Sequence, residues 1–192
     1  MAYLSLVDRA QQMVAEVIQE GDIAVDATVG NGHDTLFLAK AVGDTGHVLG
    51  FDVQPEAIEN TRNRLQLENL QHRVTLFQQS HAGMSGAISH TLKQRIKAAM
   101  FNLGYLPGGE KSVITRSHST LQALAAVLPH LLSGGVITIV AYRGHMGGEE
   151  ESAAVRDWSS QLDRSNYRVQ CICPPTASGK APFLLIIERN IA

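Results

Sequence analysis

Val25-Asp26-Ala27-Thr28-Val29-Gly30-Asn31-Gly32-His33-Asp34-Thr35 is the stretch that decides how this chain folds. A short apolar segment over 23–27 runs into two glycines, Gly30 and Gly32, and a helical pattern over 35–42 follows them. A strand that turns sharply into a helix needs backbone angles and close approaches that a Cβ obstructs, and glycine removes the obstruction. Such a turn presents free N–H groups at the positive end of a helix dipole, which suits a phosphate or a carboxylate equally. Spacing must therefore choose the ligand. A dinucleotide fingerprint G-x-G-x-x-G begun at Gly30 would place its third glycine where Thr35 stands.

Outward from that turn the chain alternates between strand and helix patterns. A helix is expected over 4–19, with Leu6, Ala10, Met13, Val14, Val17 and Ile18 as its buried stripe. Strands are expected at 48–52, 74–78, 98–102 and 136–142, the last after a Gly134-Gly135 turn. Helices fill the spaces between them at 55–68, started by Pro55, at 86–94 and at 117–132. Five such units predict an open parallel sheet with helices on both faces. A helix over 149–162 then leads to strands at 167–173 and 183–189, joined by too few residues for a crossover helix, so these two should pair antiparallel at the sheet edge.

Composition sets the outer bounds. With 192 residues, 44% of them hydrophobic, the chain can bury one sizeable core and is short for two. A formal charge of -2 gives no general attraction to nucleic acid, so an RNA would have to be held by a local basic patch. The two cysteines, Cys171 and Cys173, share one face of a strand and are expected as core thiols. No His, Asp, Glu and Cys set has metal-ligand spacing, and the N-terminus carries neither a signal peptide nor a membrane span. A cytoplasmic, single-domain protein with no membrane contact is expected.

Ligands of open α/β sheets sit beyond the carboxyl ends of the strands, and here those ends are polar. Read backwards from Gly32, Asp26-x-Thr28-x-Gly30-x-Gly32 resembles the acidic-x-Gly-x-Gly-x-Gly first motif of class I methyltransferases, with Thr28 at the first glycine. That resemblance implies an α/β, Rossmann-like class I fold, a mostly parallel seven-stranded sheet with a C-terminal antiparallel hairpin, and S-adenosyl-L-methionine as cofactor. Asp52, twenty residues past Gly32, stands where an acid accepts the two ribose hydroxyls. A nicotinamide-dependent oxidoreductase would use the same acid, so only Thr35 and the terminal hairpin speak against that alternative. At the fourth strand end, Asn102-Leu103-Gly104-Tyr105 resembles the Asn-Pro-Pro-Tyr motif of amine methyltransferases, with both prolines absent. There the Asn oxygen and the next carbonyl accept hydrogens from the amine while the aromatic ring packs on the target base.

Four segments together carry a narrower resemblance: Asp26 through Thr35, Gln78-Gln79-Ser80-His81, Phe101-Asn102-Leu103-Gly104-Tyr105-Leu106-Pro107-Gly108-Gly109, and Tyr142-Arg143-Gly144-His145-Met146-Gly147-Gly148. They resemble the YtqB-like family, formerly described as rRNA methylases, whose characterised members act on the wobble uridine of tRNA. The resemblance implies methylation of the aminomethyl nitrogen of 5-aminomethyl-(2-thio)uridine on the tRNA anticodon stem-loop, and it is compatible with a homodimer. It places cofactor contacts on Asp26, Thr28, Asn31, Gly32, Asp34, Asp52, Gln54, Ser80 and His81. The chemistry falls on Asn102, Tyr105 and His145, and the substrate contacts fall on Leu103, Pro107, Lys111 and Arg143. Methylation of ribosomal RNA or of a small-molecule amine stays open as the alternative.

Overall fold

A computed structural model describes residues 4–91, 96–106, 108, 114–173 and 181–191. Seven strands form one sheet in the order β3-β2-β1-β4-β5-β7-β6. The strands are β1 (Ile23–Asp26), β2 (His47–Asp52), β3 (Val74–Gln78), β4 (Ile96–Leu103), β5 (Leu131–Ala141), β6 (Tyr167–Ile172) and β7 (Phe183–Arg189). The helices are α1 (Leu6–Ala15), α2 (His33–Ala41), α3 (Pro55–Leu67), α4 (Met84–Thr91), α5 (Ser117–Val127) and α6 (Gly148–Ser160). β1 to β5 are parallel, and β7 runs antiparallel to both β5 and β6. The expected class I arrangement with its terminal hairpin is therefore the observed one.

The parallel strands are covered on both faces, so consecutive residues serve opposite cores. Val25, Phe51, Phe101, Ile139 and Leu185 point to one side, where Ile88 of α4, Leu124 of α5 and Val155 of α6 close over them. Ala24, Val48, Met100, Val140 and Ile186 point to the other, under Val14 of α1, Leu38 of α2 and Leu65 of α3. α1 begins in a capping box, with Ser5 Oγ accepting from the Asp8 N–H at 3.1 Å and Asp8 Oδ2 accepting from the Ser5 N–H at 3.1 Å.

Three elements differ from the sequence expectation. β5 starts at Leu131 rather than 136, because Gly134 (φ 66°) and Gly135 form a bulge inside the strand. A Cβ on Gly135 would lie 2.8 Å from the carbonyl oxygens of Leu132 and Lys97. α5 ends at Val127, ahead of Pro129, and gives way to a 3-10 turn. Cys171 and Cys173 do share a face, with their sulfurs 3.9 Å apart, but both are exposed. Their strand is the sheet edge, and its residues from Arg168 to Cys171 face solvent. The expected core thiols are surface thiols, with Arg156 Nη2 of α6 3.3 and 3.5 Å from the two sulfurs.

Candidate functional site: a cleft at the switch point of the sheet

The chain leaves β1 toward β2 and β3, then returns to β4 on the other side of β1. Loops therefore diverge between the ends of β1 and β4, and a crevice opens there. A cleft of about 850 Å³ occupies it. Most expected site residues line this cleft: Thr28, Asn31, Asp34, Asp52, Gln54, Ser80, His81, Asn102, Tyr105, Arg143 and His145. Asp26, Gly32 and Leu103 lie behind its wall, and Pro107 and Lys111 lie outside the described residues.

The turn after β1 is held by its own side chains. Gly30 and Gly32 have φ of 53° and 78°, the left-handed region that glycine enters without strain. Gly32 also passes so close to α3 that a Cβ would sit 2.5 Å from Thr61 Oγ1. Thr28 needs no such freedom, and its hydroxyl accepts from the backbone N–H of Asn102 at 2.7 Å. The first motif position that departs from glycine thus ties β1 to β4. Asp26, fully buried, accepts from the Thr28 N–H at 3.2 Å and from the Thr35 hydroxyl at 2.6 Å.

Burial, followed by the nearby charge of Asp34, pushes the Asp26 carboxyl up to about 7. Because the folded value lies above the ordinary 3.8, the native state holds a proton that the unfolded chain releases between those pH values. Its stabilising contribution is complete below pH ~4 and is lost as pH rises through about 7. Asp26→Asn, which keeps an acceptor for Thr28 and offers a donor to the Thr35 oxygen, should flatten stability over that window in urea titrations. An unchanged pH slope would show that Asp26 is ionised throughout.

On the β2 and β3 side, Asp52 Oδ2 accepts from the Gly30 N–H at 2.8 Å and Oδ1 from the Gln54 N–H at 3.0 Å. The acid is thereby locked in place, and each oxygen keeps a further lone pair for a ligand. His81, the first residue of a 3-10 turn capped by Ser80, lies 3.1 Å through Nδ1 from the carbonyl oxygen of Ala27. A carbonyl only accepts, so Nδ1 carries the proton, and burial holds the ring below its ordinary value as the neutral form.

On the β4 and β5 side, Asn102 Nδ2 donates to Asp34 Oδ2 at 2.6 Å. Tyr105 and Tyr142 are 42% and 41% exposed at the cleft mouth, and the Tyr105 ring meets that of His145 edge-on at 6.1 Å. His145 Nδ1 lies 3.1 Å from the Met146 carbonyl oxygen, so it carries the proton there. Nε2 is then a buried lone pair with no hydrogen-bond partner among the described residues. The carbonyl expected beside Asn102 also serves the sheet: Leu103 O accepts from the Tyr142 N–H at 3.1 Å, extending the β4 and β5 pairing, and keeps one further lone pair.

Two residues escaped the sequence reading. Glu151, 2% exposed, accepts from the hydroxyls of Thr115 at 2.7 Å and Thr120 at 2.6 Å, tying α6 to the loop after β4 and to α5. It belongs to the buried stripe Glu151, Val155, Ser159, whose i, i+4 spacing was the available signal. Gln11 of α1 is the other, donating to Asp34 Oδ1 at 2.6 Å.

Comparison with known proteins agrees with this geometry. Residues 48–188 match the family model described as "Putative rRNA methylase". The chain belongs to this family. A family-described "putative rRNA-methylase" of Clostridium thermocellum superposes with a TM-score of 0.92 at 39% identity, covering 98% of this chain and 100% of that one. A "putative methyltransferase" of Streptococcus mutans, solved in complex with SAH, superposes at 0.86 with 34% identity over 98% and 99% of the two chains. The chloroplastic tRNA (mnm(5)s(2)U34)-methyltransferase of Arabidopsis thaliana is 42% identical over 160 residues, 79% of this chain. The matched part spans 58% of that relative's length. The family's fold is that of S-adenosyl-L-methionine-dependent methyltransferases, shared at the level of fold alone with O-methyltransferases of 14% and 12% identity.

Proposed function

We propose that the protein transfers the methyl group of S-adenosyl-L-methionine to the aminomethyl nitrogen of 5-aminomethyl-(2-thio)uridine at the tRNA wobble position. The product is the 5-methylaminomethyl nucleoside. The observation that carries this reading is the convergence, in one cleft, of the Asp52 carboxylate on the β2 side with the Asn102 amide on the β4 side under two exposed tyrosines. The volume, about 850 Å³, leaves room for a nucleoside-sized cofactor and a target group together.

The residues fit the cofactor. Asp52 would take the ribose hydroxyls, with Gln54, Ser80 and His81 around the base. Thr28, Asn31 and the N-terminus of α2 would hold the amino-acid end. When bound, the cofactor supplies an electrophilic methyl group on sulfonium. Asn102 accepts a hydrogen from the amine and so aligns the nitrogen lone pair. His145 lines the same cleft beside Tyr105, but its Nε2 is buried, so it would take the proton that the methylated nitrogen releases only once the ring turns toward the substrate. Tyr105 and Tyr142 offer stacking faces for anticodon bases, and Arg143 a cation for a phosphate. With a formal charge of -2 over the whole chain, RNA binding would be local to this rim. Among the described residues no helix is long and apolar enough to cross a membrane.

Asp52→Ala should weaken S-adenosylhomocysteine binding by roughly 1.5 to 3 kcal/mol, the worth of a charged acceptor to hydroxyls. Calorimetry showing unchanged affinity would remove Asp52 from the cofactor site. The function itself is tested by mass spectrometry of tRNA nucleosides from a strain lacking the gene. Accumulation of the 5-aminomethyl nucleoside supports it, and an unchanged nucleoside profile refutes it.

A further inference from the structure

Asp34 sits at the start of α2, 6% exposed, and both of its oxygens are occupied: Gln11 Nε2 donates to one and Asn102 Nδ2 to the other, each at 2.6 Å. The three residues come from α1, α2 and β4, so the pair with Asn102 spans 68 positions of sequence. An ionised carboxylate can only accept. The atom of Asn102 that faces it must therefore be the NH₂ group, and Oδ1 is the amide atom turned away from Asp34. Without such a partner an amide can present either end, and only one end is useful to an amine. An NH₂ group facing the substrate would offer a donor where an acceptor is required.

We propose that Asp34 is a positioning residue that fixes the Asn102 amide with its oxygen toward the reacting nitrogen, and that its charge matches the site to an aliphatic amine. This role presupposes the amine methylation proposed above. An aliphatic amine reaches the cleft as R–CH₂–NH₃⁺ and must lose one proton before it reacts. The freed lone pair then forms the N–C bond as the C–S bond breaks, its electron pair staying on sulfur, to give R–CH₂–NH₂⁺–CH₃. A second proton leaves to regenerate the neutral product. The nitrogen is thus cationic on arrival, neutral as it attacks and cationic again once methylated, and a carboxylate lining the same cleft favours the arriving and the methylated cation. An exocyclic amine on an aromatic base is neutral at the start and gains nothing from that charge on arrival. Burial, followed by the charge of Asp34, raises the Tyr142 phenol above its ordinary value.

The test is a swap. Asp34→Asn removes the obligate acceptor, so the Asn102 amide can turn over; with S-adenosyl-L-methionine kept saturating, it should cut single-turnover methylation of tRNA bearing 5-aminomethyluridine at least about tenfold. Combining Asp34→Asn with Asn102→Asp restores a donor and an acceptor facing each other and again leaves an oxygen for the amine. That double variant should recover at least about threefold over Asp34→Asn. Side-chain amide NMR gives a readout independent of any RNA: the Asn102 NH₂ resonance, shifted by its carboxylate partner, should move in Asp34→Asn while the backbone spectrum persists. Wild-type turnover in Asp34→Asn, no recovery in the swap, or an unmoved Asn102 resonance would each overturn the role. If wild-type protein leaves that tRNA unmethylated, the functional reading fails instead, and the NMR shift alone decides whether Asp34 sets the amide.

Discussion

Asn102→Ala is expected to lower methyl transfer by roughly 10²-fold or more while leaving cofactor affinity almost unchanged. The asymmetry follows from position. Asn102 lies at the end of β4, its backbone N–H held by Thr28 and its amide by Asp34, and in the proposed reaction its remaining acceptor serves the target rather than the cofactor. The neighbouring carbonyl of Leu103 is fixed by its bond from the Tyr142 N–H and cannot move into the place of the lost oxygen. Single-turnover rates with saturating cofactor, set beside calorimetric affinities, separate the two effects. Equal losses in rate and affinity would place Asn102 in the cofactor site, and a wild-type rate would make the loop structural.

Gly32→Val should abolish cofactor binding and cost about 2 to 5 kcal/mol of stability, the sum of a strained positive φ and of overpacking against α3. Both terms come from one place: φ is 78°, and the added Cβ would lie 2.5 Å from Thr61 Oγ1 and 3.0 Å from Thr61 Cα. The clash includes backbone, so a side-chain rotation cannot relieve it. For a chain of this length each kcal/mol lowers the melting temperature by roughly 2 to 4 °C, so the loss is easily read by calorimetry. A variant that melts and binds like wild type would show that the turn does not pass α3 as closely as described.

The sequence made the strand ends legible because buried parallel strands are near-continuous apolar runs, and each one here stops at polar or glycine residues. Asp26 to Gly32, Asp52 and Asn102 could be placed on that basis, and they do stand at the ends of β1, β2 and β4. Burial at the sheet margin was not legible. Alternation puts Cys171 and Cys173 on one face, yet nothing in the pattern says that β6 is an edge whose faces are left open. Long-range polar pairs were equally hidden. Asp34 reads as part of a glycine motif, and only the fold brings Gln11 and Asn102 to its two oxygens. The same holds for Leu103, whose carbonyl also accepts from Tyr142 in the pairing of β4 with β5.

Methyl transfer to the wobble nucleoside is tested most directly with purified protein, S-adenosyl-L-methionine labelled in its methyl group, and tRNA carrying 5-aminomethyl-2-thiouridine. After digestion and mass spectrometry, the label should appear on the aminomethyl side chain of that nucleoside and nowhere else in the tRNA. Label absent from that nucleoside, or found instead on ribosomal RNA offered in the same reaction, would contradict the proposed function.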